Sequence, residues 1–375
     1  MRSRKFRRIV LFALLGLAGL CLVLAGMSAL SNQFLPKGPE LLDQLTDLDK
    51  TRLAEARHVR TSLGDRVWPG FAQMEIPIVI WNQEYAFLFG IPNPIAEWER
   101  VPDDLFEGQA YFRKSDNDPQ NFAVPIGTEW AASMATKTET DAFLIRTFRD
   151  FLPPVIEQIF PYRFLIQPSE AQIAAVAHES FHVLQTRLAP GRLEAAEKAH
   201  RLGERYWTAD VEMGADWETE IDLLAQALDA SSSSDAASLS AQFLAQRDLR
   251  RQRNNLPAAL VDYERQLEWE EGLAKYVEME IWRQASLARD YRPLPELEAD
   301  GDFKEYRSFQ QRWRQEISQM KRQAGQEGET RFYLTGMAQA TLLDRLLPGW
   351  KELALAEGVF LEDLLREAVS AQVNP

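Results

Sequence analysis

Cysteine is all but missing: Cys21 is the only one in 375 residues. That excludes a disulfide framework and any metal centre built on several thiolates. Histidine is scarce too, at four, so metal ligation must draw on a few imidazoles and on carboxylates. Cations are in deficit, with 42 Lys and Arg against 56 Asp and Glu and a net charge of −14. Five of them, Arg2, Arg4, Lys5, Arg7 and Arg8, crowd the start of the chain and leave the rest more acidic still. A body of that charge argues against nucleic acid as a partner. No internal repeat is evident, and only one long uncharged run occurs.

That run, Ile9 to Leu30, would reach about 33 Å as a helix, enough to cross a bilayer. Basic residues precede it and only Lys37 comes closely after it. The positive-inside bias then predicts a single-pass membrane protein with a cytoplasmic N-terminus and a body exported to the periplasmic or extracellular side. The alternative is a cleavable signal peptide, for which Ala29-Leu30-Ser31 is the candidate site. Leu20 stands before Cys21 where a lipoprotein signal needs a small residue, which argues against lipidation.

Periodicity divides the remainder of the chain. Leu41, Leu42, Leu45, Leu48 and Leu53 recur at near-helical spacing, and His58 belongs to this stretch as a surface residue. From 61 the pattern changes to short apolar runs, Ile76–Trp81, Tyr85–Phe89, Ala110–Phe112, Phe122–Ile126 and Trp130–Met134, broken by Pro, Gly, Asn and Asp. Their aromatics are read as core. Beyond Thr138 the chain reads as helical, with a flexible loop at Ser231–Ser234. The expected fold is α+β: an anchor over 1–30, a juxtamembrane helix over 31–60, a small, mostly antiparallel sheet over 61–165, and a mainly helical part over 166–375.

The stretch Ser169 to about Leu188 carries the chemistry. It is apolar almost all round, and such a helix is normally buried. Ser169 and Gln172 read as its capping box. Inside it stand His178, Glu179 and His182, spelling H-E-x-x-H. Residues four apart share one helical face, so both imidazoles can address one zinc ion, with Glu179 beside it to take a proton from bound water. Buried imidazoles without partners are costly, and zinc supplies the partner.

A hydrolytic zinc site needs a third protein ligand. Without cysteine, and with His58 and His200 set among charged or exposed neighbours, that ligand should be a carboxylate. Glu271 and Glu278 fall in or beside the apolar stripe of Leu260, Leu267, Ala274 and Ile281. Glu270 and Glu271 flank the stripe on opposite sides, and the helical wheel does not choose between them. Glu220, beside Met213, Trp217, Ile221 and Leu224, is a third candidate. Tyr333, Tyr276 and His200 are candidates for the donor that steadies a tetrahedral oxyanion, Tyr333 foremost. Carboxylates of Asp210–Leu228 could orient the histidines from behind.

Two segments, His178-Glu179-Ser180-Phe181-His182 and Trp269-x-Glu271-Gly272-Leu273-Ala274-x-Tyr276, resemble the gluzincin branch of zinc metallopeptidases, and within it the peptidase MA-like family. The resemblance implies a sheet-containing part before the zinc helix, a helical part after it, and Glu271 as the third ligand. The resulting expectation is a membrane-anchored zinc metallopeptidase acting on peptide or protein substrates. A zinc-dependent amidase or deacylase of envelope components, and a non-catalytic tethered scaffold, are the competing readings.

Overall fold

Side chains alternate along a strand, so Ile78 and Ile80 leave one face of the first strand while Val79 leaves the other. The computed structural model describes residues 16–17, 19–20, 22–35, 42–93, 96–116, 118–206, 211–326 and 328–373. Six strands form one sheet: β1 Ile78–Trp81, β2 Tyr85–Phe89, β3 Glu99–Arg100, β4 Phe112–Ser115, β5 Phe122–Ile126 and β6 Glu129–Ala135. Their order is β3-β4-β2-β1-β6-β5. Only β1 and β6 run parallel; the other neighbours are antiparallel, so the sheet is mixed. One face, with Ile78, Ile80, Phe87, Phe89, Ala132 and Met134, joins the main core. The other buries Val79, Leu88, Ala131 and Ile126 under Trp98 in a small cluster of its own.

Beyond residue 42 the described α-helices, in chain order, are α1 Asp47–Val67, α2 Lys137–Phe151, α3 Pro154–Ile159, α4 Ser169–Leu188, α5 Pro190–Ala199, α6 Gly203–Tyr206, α7 Val211–Asp229, α8 Ser233–Arg253, α9 Ala258–Leu287, α10 Phe309–Gln323, α11 Thr330–Leu346, α12 Trp350–Ala354 and α13 Leu361–Val373. The long α4 lies between the sheet, through β5 and β6, and α9. Its sequence explains its extent. Pro168 precedes it, alanine and other good helix formers such as Leu, Gln, Glu and Arg dominate it, and Pro190 ends it by starting the next helix. The expected capping box does not form. Ser169 Oγ donates to Asp300 Oδ2 at 2.7 Å and Gln172 Nε2 to the Ala135 carbonyl at 2.7 Å, so both side chains tie the helix to other segments. The serine run is likewise no loose loop: Ser232 caps α8 by accepting from Asp235 N.

No helix among the described residues is long and apolar enough to cross a membrane. This overturns the transmembrane anchor, and with it the single-pass placement, the cytoplasmic N-terminus and the exported body. The described helical stretch over 22–32 carries Ser28, Ser31 and Asn32 toward its end, polar side chains that dilute its apolar character. Its end is tied to the body, because Asn32 Nδ2 donates to the Phe160 carbonyl at 2.8 Å. Residues 1–15, 18 and 21, which include Arg2–Arg8 and part of the expected span, lie outside the described residues.

Two glycines set how closely α9 and α11 cross. A Cβ on Gly336 would lie 2.4 Å from the Glu268 carbonyl oxygen and 2.7 Å from Gly272 Cα. Contact that short between backbones leaves no flexible atom to give way. Gly336→Ala should therefore cost about 1–3 kcal/mol or more by overpacking. Urea unfolding checks this; a variant within 0.5 kcal/mol of the parent (an order-of-magnitude threshold for neutral sites) would show that the helices separate freely.

Candidate metal centre

On α4, His178 and His182 sit one turn apart with ring centroids 5.0 Å from each other. Ligand atoms of His178, Glu179 and His182 lie within 4.8 Å of one another, and all three side chains are buried. From α9, Glu271 Oε2 reaches both imidazoles, 3.3 Å from His178 Nε2 and 3.4 Å from His182 Nε2. Tetrahedral coordination with bonds of ~2.0–2.1 Å separates neighbouring ligand atoms by about 3.3 Å, so these spacings already suit zinc. His182 Nε2 is buried and makes no well-formed hydrogen bond, with Glu271 Oε2 at 3.4 Å, as suits a nitrogen kept for a metal.

The far side of each ring is held. His182 Nδ1 pairs with Gln185 Oε1 at 2.8 Å, and Gln185 Nε2 donates to the Trp269 and Glu270 carbonyls on α9. His178 Nδ1 faces Glu278 Oε2 at 3.4 Å. Glu278 Oε1 pairs with Lys275 at 2.6 Å, and Lys275 and Arg312 both pair with Glu316. Carboxylates behind metal-binding histidines fix the ring and raise its basicity. If the centre holds zinc, Glu278→Gln should weaken its affinity there ~10–100-fold without abolishing binding at saturation. Competition against a chromophoric chelator measures it, and unchanged affinity would remove Glu278 from this role.

The electrostatics favour a cation between the rings. Burial alone would lower the His178 imidazolium, but Glu271 and Glu278 outweigh it and push its pKa up to about 10. Burial pushes Glu179 up to about 7, partly offset by His178 and His182. Glu271 goes the other way: burial opposes ionisation, yet the two histidines hold it well below the usual carboxylate range. Tyr333 stacks on His178 with centroids 6.1 Å apart and an interplanar angle of 14°. Burial and its hydrogen bond to Glu271 raise its pKa, so the phenol stays protonated and can donate. The close crossing at Gly272 and Gly336 brings this side of α11 up to Glu271.

These groups open into a cleft of about 360 Å³ lined also by Asn121, Phe122, Arg312 and Thr330. A larger hollow of about 460 Å³ near Arg60, Glu75 and Arg187 contains no histidine and no convergent ligand set.

The other candidates are placed elsewhere. Tyr276 donates to Asp344 Oδ2 at 2.6 Å, away from the cleft. His58 stacks on Tyr291 and meets the Arg292 carbonyl. Glu220 is fully buried between Arg247 and Arg250, at 2.8 and 2.6 Å, and orients no histidine in that position. His200, expected on a solvated face, lies instead between Glu270 and Glu329. Glu270 points to His200, which settles the geometry of the adjacent pair: of the two, Glu271 faces both α4 imidazoles. Two residues of the centre, Gln185 and Glu329, escape a reading of the sequence. Gln185 is open to notice as a lone amide in a buried apolar run, whereas nothing local marks Glu329.

The buried arginines that hold Glu220 also hold Glu264, Glu268 and Glu362. Burial would raise Glu362, but Arg247 and Arg251 outweigh it and pull its pKa down to about 2. A depressed carboxylate contributes stability that is present above its unfolded value of ~4.3 and is lost as pH falls through the folded one. Stability should therefore decline between about pH 4.3 and pH 2, less steeply in Glu362→Gln. Denaturation midpoints measured across that range test it, and a flat profile would contradict the pairing.

Compared with protein-family models, curated proteins and solved structures, the chain finds no match in any of the three.

Proposed function

We propose that the chain is a zinc-dependent metallopeptidase of the gluzincin type, with His178, His182 and Glu271 as protein ligands and Glu179 as general base. One observation carries this reading: two imidazole nitrogens and one carboxylate oxygen converge at zinc-ligand spacing beside a second, buried carboxylate. Bound there, zinc would acidify water and polarise a carbonyl. Glu179, with its pKa near neutrality, takes up a proton and returns it to the leaving amine. The protonated Tyr333 hydroxyl donates to the oxygen on which negative charge develops. A peptide is favoured because β5 is an edge strand whose Phe122 lines the cleft, and edge strands recruit extended chains through main-chain hydrogen bonds.

The test uses the full chain, stripped with chelator and reconstituted with Zn²⁺. Elemental analysis should find stably bound zinc, and a quenched-fluorescent peptide library should be cleaved only after reconstitution. Failure to retain zinc, or zinc retained without cleavage of any peptide, would overturn the proposal.

A further inference from the structure

Buried carboxylates need compensating charge, and along α9 the chain supplies it almost everywhere with arginine or lysine. Glu264 pairs with Arg250 and Arg251, Glu268 with Arg247, Glu278 with Lys275 and Glu280 with Arg283. Glu270 and Glu271 differ: among the described residues their ion-pair partners are histidines, His200 for Glu270 and His178 with His182 for Glu271. Histidine is the one basic side chain of the three that commonly serves as a metal ligand, through a ring nitrogen.

His200, Glu270 and Glu271 present ligand atoms within 4.8 Å of one another. His200 Nε2 lies 2.8 Å from Glu270 Oε2, while the other oxygen of that fully buried carboxylate, Oε1, has no hydrogen-bond partner among the described residues. The opposite ring nitrogen, Nδ1, meets both oxygens of Glu329 at 3.1 and 3.2 Å, and Tyr263 donates to Glu329 at 2.9 Å. A carboxylate behind the ring is the arrangement that orients metal-binding histidines, and His178 has its counterpart in Glu278.

We propose that His200, Glu270 and Glu271 form a second divalent-cation site, joined to the first through the Glu271 carboxylate. The inference rests on the zinc reading and extends it to a two-metal hydrolase. Paired ions in such enzymes stand ~3.5–4 Å apart and share the charge of the attacking and leaving groups. With Glu329 behind His200 and Glu278 behind His178, each half has its own orienting carboxylate. The Zn²⁺-like donor set, nitrogen and oxygen without thiolate, selects a first-row divalent cation rather than a soft one.

Metal counting decides the matter without reference to activity. The chelator-stripped full chain is titrated with Zn²⁺, desalted and analysed for zinc and protein. Two ions per parent chain are expected, and one in His200→Ala and in Glu270→Gln. Loading with Co²⁺ should give a spin-coupled signal weaker than that of two isolated ions. One ion per parent chain at saturation overturns this inference and leaves the metallopeptidase reading standing. No bound ion overturns both. Two ions retained in His200→Ala also overturn it, provided circular dichroism shows that variant folded; the parent count needs no variant at all.

Discussion

Replacing Glu271 with alanine is expected to lower zinc affinity by orders of magnitude, whereas Glu220→Ala should leave it unchanged. Only Glu271 reaches both imidazoles, at 3.3 and 3.4 Å. Removing it takes away the sole carboxylate that meets both Nε2 atoms among the described residues and leaves His178 and His182 facing one another. Glu220 works in a different place. Its side chain is fully buried between Arg247 and Arg250, so its loss leaves buried guanidinium charge uncompensated, at about 3–5 kcal/mol. The two variants should separate cleanly: Glu271→Ala folded and deficient in zinc, Glu220→Ala competent for zinc and destabilised. Chelator competition and urea unfolding on both proteins provide the readouts. Parent-like affinity in Glu271→Ala would move the third ligand elsewhere.

Glu179→Gln is expected to keep its zinc and lose ~10²–10⁴-fold in kcat/KM, the usual contribution of a positioned acid–base group. The amide matches the carboxylate in size and cannot accept the proton. Burial lifts Glu179 to a pKa of about 7, and only the ionised form serves as base. In the parent, activity should therefore fall as pH drops, with the limb at or below about 7 because a nearby cation draws the carboxylate down. The variant should lack that limb. Full turnover in Glu179→Gln, with zinc content confirmed, would assign the base to another group.

Much of the centre is legible in the primary structure because it depends on local geometry. The one-turn separation of His178 and His182, and the apolar stripe that carries Glu271 and Glu278 inward, come from helical periodicity alone. The choice between Glu270 and Glu271 does not, since it turns on how α9 meets α4. His200 misleads for a similar reason: Glu197, Lys198 and Arg201 are its neighbours in sequence, but Glu270 and Glu329 are its neighbours in space. Ser169 and Gln172 match a capping motif and are drawn off by Asp300 and Ala135. The uncharged N-terminal run has the composition of a span, yet among the described residues no helix is apolar and long enough to be one.

The α9 helix has a consequence for how this chain can change over generations. Glu264, Glu268, Glu270 and Glu271 each address different partners from one unbroken helix, Glu278 shares His178 with Glu271, and Gly272 fixes the helix's height against Gly336. Inserting or deleting one residue anywhere between Glu264 and Glu278 would turn everything on one side of it by about 100°. A change between Glu271 and Glu278 would stop the two from both addressing His178, and one nearer Glu264 would rotate both away from the face that suits Glu264. The loop at 254–257 ahead of the helix is under no such constraint. Lengthening there alters only the route by which α9 is reached, so length variation should accumulate before Ala258 and be absent from the helix itself.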